Sequence, residues 1–175
     1  MTNEEIKKLS GDDLTETVVE KSYEDDSMKN RFLTFRVGNE DYGIEIMYVT
    51  EIVSMQKVTE VPDMPDYVRG VINLRGQVIP VIDVRTRFKL PPRDYDDRTC
   101  AVVVNMNSTV IGLIVDSVDE VMNIAMENVS PPPAVNESWS CRFISGLGRV
   151  DNRVKILLDI ERLLFDEGAE PVESR

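Results

Sequence analysis

Arg69-Gly-Val-Ile-Asn-Leu-Arg-Gly-Gln-Val-Ile-Pro-Val-Ile-Asp-Val-Arg85 holds two apolar runs, Val71 to Leu74 and Val78 to Val84, joined at Arg75-Gly76-Gln77. Valine and isoleucine at this density favour a pleated, buried surface. Gly76 supplies the positive φ that a tight hairpin turn needs. The segment therefore reads as a β-hairpin with a charged side chain, Arg75, at its tip. Strands on both sides fix the backbone beneath that Arg, which points to recognition, a role in which Arg is enriched.

Working outward, the flanking sequence is also strand-rich. Phe32 to Val37 reads as a strand, Gly38 to Asp41 as a turn and Tyr42 to Ile46 as the returning strand. Val49, Ile52 and Val53 show helical spacing, which predicts one or two helical turns after Ile46. Thr99 to Asn105 and Thr109 to Val115 read as strands joined at Met106-Asn-Ser108, and Val118 to Ile124 as a strand or short helix. Pro131-Pro-Pro133 opens a stiff connection to Arg142. Gly146 to Val150 and Val154 to Leu158 form a hairpin around Asp151-Asn152, and Ile160, Leu163 and Leu164 mark a closing amphipathic helix. Asp83 and Asp159 follow strands and are placed to cap the helical segments after them.

The two halves resemble each other. Gly43 aligns with Gly112, Val49 with Val118 and Glu51 with Glu120 at a shift of 69 residues. Gly70 aligns with Gly146, Val78 with Val154 and Asp83 with Asp159 at a shift of 76. Two small β units of one design follow. Units of this size have marginal cores alone, so a shared interface between them is expected.

Composition narrows the function. The chain has 175 residues, 42% of them hydrophobic and 30% charged, with a net charge of −12. That charge argues against nucleic acid and against an anionic membrane surface. Residues 1–30 carry a net −5 and residues 166–175 a net −3, so they read as acidic tails around a near-neutral folded part, 31–165. A short helix from Asp13 to Tyr23 is compatible with the first tail. No apolar run approaches a membrane span and the N-terminus lacks a signal peptide's apolar region, so a cytoplasmic location is expected. Cys100 and Cys141 form neither a disulfide framework nor a CxxC pair.

The chain contains no histidine. This removes Ser-His and Cys-His nucleophile pairs, histidine metal ligands and a phospho-histidine relay on this chain. Glu51 and Glu120 could be imagined as an acid–base pair, but they read more simply as surface acids. Neither glycine-rich piece, Arg69 to Gly76 or Ser145 to Gly148, has a phosphate-loop pattern. No catalytic residue, metal or cofactor is expected.

Gly70-Val-Ile-Asn-Leu-Arg-Gly76, Pro80-Val-Ile-Asp83, Tyr42-Gly-Ile-Glu45, Gly112-Leu-Ile-Val-Asp116 and Gly146-Leu-Gly148, in this order and spacing, resemble the CheW-like chemotaxis coupling proteins. The resemblance covers roughly Arg31 to Phe165. It implies a mostly β fold of two intertwined five-stranded SH3-like barrels with a hydrophobic core between them and short helices. It also implies a non-enzymatic adaptor that joins methyl-accepting chemoreceptors to the histidine kinase CheA, at receptor arrays beneath the inner membrane. The receptor's cytoplasmic hairpin tip would dock between the barrels at Val49, Glu51, Gly70, Arg75 and Val121. The kinase's regulatory domain would meet Gly112 and a loop with Ser130, Ala134 and Val135. That loop departs from the family, in which a basic and an aromatic residue are frequent. An adaptor of a related non-motility pathway fits the same residues. An enzyme or phosphorelay component fits less well: it would need a nucleotide-binding domain, a phospho-accepting His or a fused receiver unit, and the sequence shows none of them.

Overall fold

The computed structural model describes residues 28–132 and 139–166. Eleven strands form two sheets: β1 (Arg31–Val37), β2 (Glu40–Glu45), β3 (Val49–Ser54), β4 (Val68–Leu74), β5 (Gln77–Asp83), β6 (Cys100–Met106), β7 (Thr109–Val115), β8 (Ser117–Asn123), β9 (Val129–Ser130), β10 (Ile144–Val150) and β11 (Arg153–Leu158). Two short helices, α1 (Val84–Arg87) and α2 (Ile160–Phe165), follow β5 and β11. Asp83 caps α1 by accepting from the backbone N–H groups of Arg85 and Thr86, and Asp159 caps α2 by accepting from that of Arg162.

One sheet runs β3-β6-β7-β5-β4 and the other β8-β1-β2-β11-β10-β9. Under the internal repeat, β6, β7, β8, β10 and β11 correspond to β1, β2, β3, β4 and β5. The two sheets then have the same strand order, each taking its strands from both halves of the chain. The repeat and the intertwining are one fact. The parallel pairing shows it residue by residue: Leu157 lies beside Gly43 in one sheet, and Val81 beside Gly112 in the other. Short β9 is the one addition, pairing Ser130 with Leu147 where the other sheet has the single bridge Thr59 to Val71.

Strands β6 and β7 are buried on two faces over most of their length, so they read as near-continuous apolar runs. Along β6, Val102 and Val104 face a core of eighteen buried residues shared by the two sheets, while Val103 faces a smaller core with Ile72, Ile79, Val81 and Ile114. The matching small core of the other sheet holds Phe32, Ile124 and Leu157. Val53 of β3 packs on the first small core beside Leu74 of β4, although these are the two edge strands. The sheet is therefore rolled into a barrel.

Three expectations are corrected. Val49, Ile52 and Val53 do not lie on a helix: after one 3-10 turn at Ile46–Tyr48 the chain enters β3. Half-buried Val49, Glu51 and Val53 alternate there with exposed Thr50, Ile52 and Ser54. A bulge between Val49 and Glu51 and the β-branched content explain why a helical spacing folded as strand. Val84 starts α1 instead of ending β5. The turn after β1 is tighter than expected, since Glu40 and Asp41 already belong to β2. The acidic stretch 1–27 with its expected helix, residues 133–138 and residues 167–175 lie outside the described residues.

Candidate functional site

The β4–β5 hairpin turns through Arg75 and Gly76, both at positive φ (51° and 84°), between paired Leu74 and Gln77. Two positive φ values at the centre of a two-residue loop mark a type I′ turn, whose twist suits a hairpin. Asn73 Oδ1 accepts from the Gly76 N–H at 2.9 Å and steadies the loop. Asn, Asp and Gly are the usual residues here, and an Arg at positive φ is uncommon. The counterpart turn obeys the rule with Asp151 and Asn152 at φ 48° and 63°. Backbone geometry thus explains Asp151 and does not explain Arg75.

The Arg75 side chain, 71% exposed, reaches across the barrel mouth and donates to Oε1 of Glu51 on β3, which is 30% exposed. The hydrogen bond from Arg75 lowers the Glu51 carboxyl pKa below its ordinary value. The pair clasps the turn between β4 and β5 to the edge strand β3. In the other barrel the same two positions hold Asp151 and Glu120, two acids that cannot pair. The clasp is thus particular to one barrel.

Large apolar side chains stand exposed on the strands that carry the clasp: Ile52 beside Glu51, and Val78 two residues after Gly76. Ile52 faces the side of β3 opposite to Glu51, so these strands offer a partner a polar contact at the clasp and separate apolar surface for burial.

Glu51 and Arg75 are therefore brought into contact. Val49 shares β3 but is half-buried against the shared core. Gly70 is buried at φ 147°, and a Cβ there would lie 2.1 Å from the Thr59 carbonyl oxygen. It serves the Thr59–Val71 bridge and presents no surface. Val121 is exposed on β8 in the other sheet, opposite Leu33. Under the repeat its equivalent is Ile52, likewise exposed, which sequence reading missed although the 69-residue shift pointed to it. Gly112 is buried, and a Cβ there would meet Val81 Cγ1 at 2.9 Å. Ser130 is exposed on β9, while Ala134 and Val135 lie outside the described residues. Glu51 and Glu120 sit on different sheets, so they form no carboxylate pair. Among the described residues no group of His, Cys, Asp and Glu is placed to hold a metal.

Comparison with known proteins bears on this arrangement. The model of the CheW-like domain matches residues 31–167. The chemotaxis protein CheW of Klebsiella aerogenes is 38% identical over 149 residues, covering 85% of this chain and 90% of that protein. The chemotaxis protein CheW of Treponema pallidum is 36% identical, covering 76% of this chain and 81% of that one. The crystal structure of the scaffolding protein TtCheW from Thermoanaerobacter tengcongensis superposes with a TM-score of 0.73 at 32% identity, over 82% of this chain and 97% of that one.

Proposed function

The chain belongs to the CheW-like domain family and is a chemotaxis adaptor, and on that premise we propose that it couples chemoreceptors to the histidine kinase CheA without catalysing a reaction. The observation that carries this reading is the Arg75–Glu51 clasp, a polar pair on rigid strands with exposed apolar neighbours. The receptor's cytoplasmic hairpin tip docks against this face, with Arg75 and Glu51 supplying polar contacts. Val49 and Gly70 shape β3 and β4 from within, and Val121 contributes apolar surface from β8. An interface of this transient type buries on the order of 1,000 Å².

The regulatory domain of the kinase binds elsewhere on the molecule. Gly112 acts there by letting β7 approach β5, and Ser130 with Ala134 and Val135 offers a contact loop. The protein works in the cytoplasm at receptor arrays. No helix among the described residues is long and apolar enough to cross a membrane, and the chain has no His to accept a phosphoryl group. A pathway other than motility would use the same contacts.

The test is titration of the receptor hairpin tip with wild-type protein and Arg75→Asp. The reading expects at least a tenfold loss of affinity, about 1.4 kcal/mol, with the circular dichroism spectrum unchanged. Equal affinity would remove Arg75 from the site.

A further inference from the structure

An open cavity of about 630 Å³ lies at the far end of β1 from the chain's N-terminal stretch. Three arginines line it from three different places: Arg36 on β1, Arg98 in the loop before β6 and Arg153 at the start of β11. Their backbones are fixed. Arg36 and Arg153 are strand residues, and Asp96 Oδ1 accepts from the N–H groups of Arg98 and Thr99 at 2.9 and 3.2 Å.

The charges do not balance. Asp41 accepts from Arg36 at 3.2 Å and from the buried Lys155 at 3.0 Å, so one carboxylate serves two cations. Neither Arg98 nor Arg153 has an ion-pair partner among the described residues. Asp119 is the one other acid in the lining. Three arginines thus share a lining with two acids, one of which the buried Lys155 also engages from outside it, in a chain whose net charge is −12. Arginines lining an open cavity suit carboxylates, which guanidinium groups bind bidentately.

We propose that this cavity is an anion site for an acidic peptide segment, and that its occupant is the chain's own segment Glu16–Asp26. Residues 1–27 carry nine acids against three lysines. They join the fold at the start of β1, where the Asn30 carbonyl accepts from the Ile124 N–H. Arg36 stands five residues further along β1, about 17 Å away. Six or so residues of extended chain doubling back from Asn30 cover that distance, which puts Glu24 within reach of the arginines, with Asp25 and Asp26 on the approach and Glu20 and Glu16 following. The cavity floor includes Ser117, the first residue of edge strand β8, so the occupant lies at the end of the strand that also carries Val121.

The test uses the full chain and reads the arginine Nε–H and backbone amide NMR signals. In Glu16→Gln/Glu20→Gln/Glu24→Gln the signals of Arg98, Arg153 and Ser117 shift from their wild-type positions. Ionic strength of about 1 M, where the Debye length is about 3 Å, moves the wild-type signals the same way. In Arg98→Gln/Arg153→Gln the amides of Glu20 and Glu24 shift reciprocally. Inorganic phosphate binds the neutralised tail variant more tightly than wild type, because the tail no longer competes. Cavity signals unmoved by tail neutralisation, or phosphate binding equally well to both forms, would overturn the proposal. The tail-neutralised variant leaves the folded part untouched, so the test stands even if the arginine variant fails to fold.

Discussion

Arg75 is the residue whose presence the backbone does not explain. A left-handed position at the head of a type I′ turn favours Gly, Asn or Asp, and the pseudo-equivalent position obeys with Asp151. Arg75→Asn is expected to leave thermal stability unchanged or raised, read as Tm by calorimetry, and to weaken receptor binding. If the clasp served only to hold β3 to the hairpin, the swap Glu51→Arg/Arg75→Glu would restore full binding. Recognition predicts that the swap keeps the fold and does not restore binding. The glycines behave in the opposite sense. A Cβ at Gly70 meets a backbone oxygen that cannot yield, whereas at Gly112 it meets a side chain, Val81. Gly70→Ala is therefore expected to cost about 2–4 kcal/mol by urea denaturation. Gly112→Ala costs about 1–3 kcal/mol and is partly rescued by Val81→Ala. No rescue would mean that Gly112 is needed for something other than clearance. Positional matching alone named these glycines as contacts; their burial makes them spacers.

At the level of elements, the hairpins were the legible part of the sequence. Asn107-Ser108 and Asp151-Asn152 sit at positive φ in tight turns, and the apolar runs around them stand out against polar loops. β3 departs from the expected helix for a plain reason. Its half-buried positions are Val49, Glu51 and Val53 while Ile52 is exposed, so the apolar pattern does not mark the inward face and periodicity points to the wrong element. A second polar device was not legible at all, because its partners are far apart in sequence. Arg85 of α1 binds both oxygens of Asp116 between β7 and β8, at 2.8–3.2 Å, and Asp116 also accepts from the Gly38 N–H at 2.8 Å. Burial alone would raise the Asp116 carboxyl, but these hydrogen bonds and the arginine charges hold it below its ordinary value. A lowered folded-state pKa stabilises the fold above the unfolded value, about 3.9, and that stability is lost as pH falls through the lower folded value. Asp116→Asn should therefore lower stability at neutral pH, with the deficit shrinking under acid; a deficit independent of pH would show that charge is not the cause. Tyr95 offers a companion measurement. Burial and its hydrogen bond to the Asp83 carboxylate at 2.8 Å push the phenol up to about 12, so Asp83→Asn should bring its alkaline titration back toward 10.

At the scale of the molecule, the strand exchange decides how the two halves depend on each other. The repeat was legible in the sequence as matched glycines and valines. The exchange itself was not, because nothing in a strand's sequence states which half it will pair with. Arg87 of α1, 1% exposed, donates to the Leu163 carbonyl of α2 at 3.0 Å and lies over the rings of Tyr67 and Phe143, tying one half to the other. A fragment of residues 28–98 lacks β6 to β11, which supply strands to both sheets, and should remain unfolded alone, yet regain a β spectrum when mixed with residues 99–175. Independent folding of either fragment would contradict the shared core. A molecule built this way presents two unlike barrel mouths, one clasped by Arg75 and Glu51 and one carrying Asp151 and Glu120. The most direct measurement is assembly of the receptor hairpin tip and the kinase regulatory domain on this chain, by analytical ultracentrifugation, with wild type and Arg75→Asp. Coupling predicts that wild type carries both at once, while Arg75→Asp keeps the kinase domain and loses the receptor tip. A wild-type chain that binds only one partner at a time, or a variant that still carries both, would contradict it.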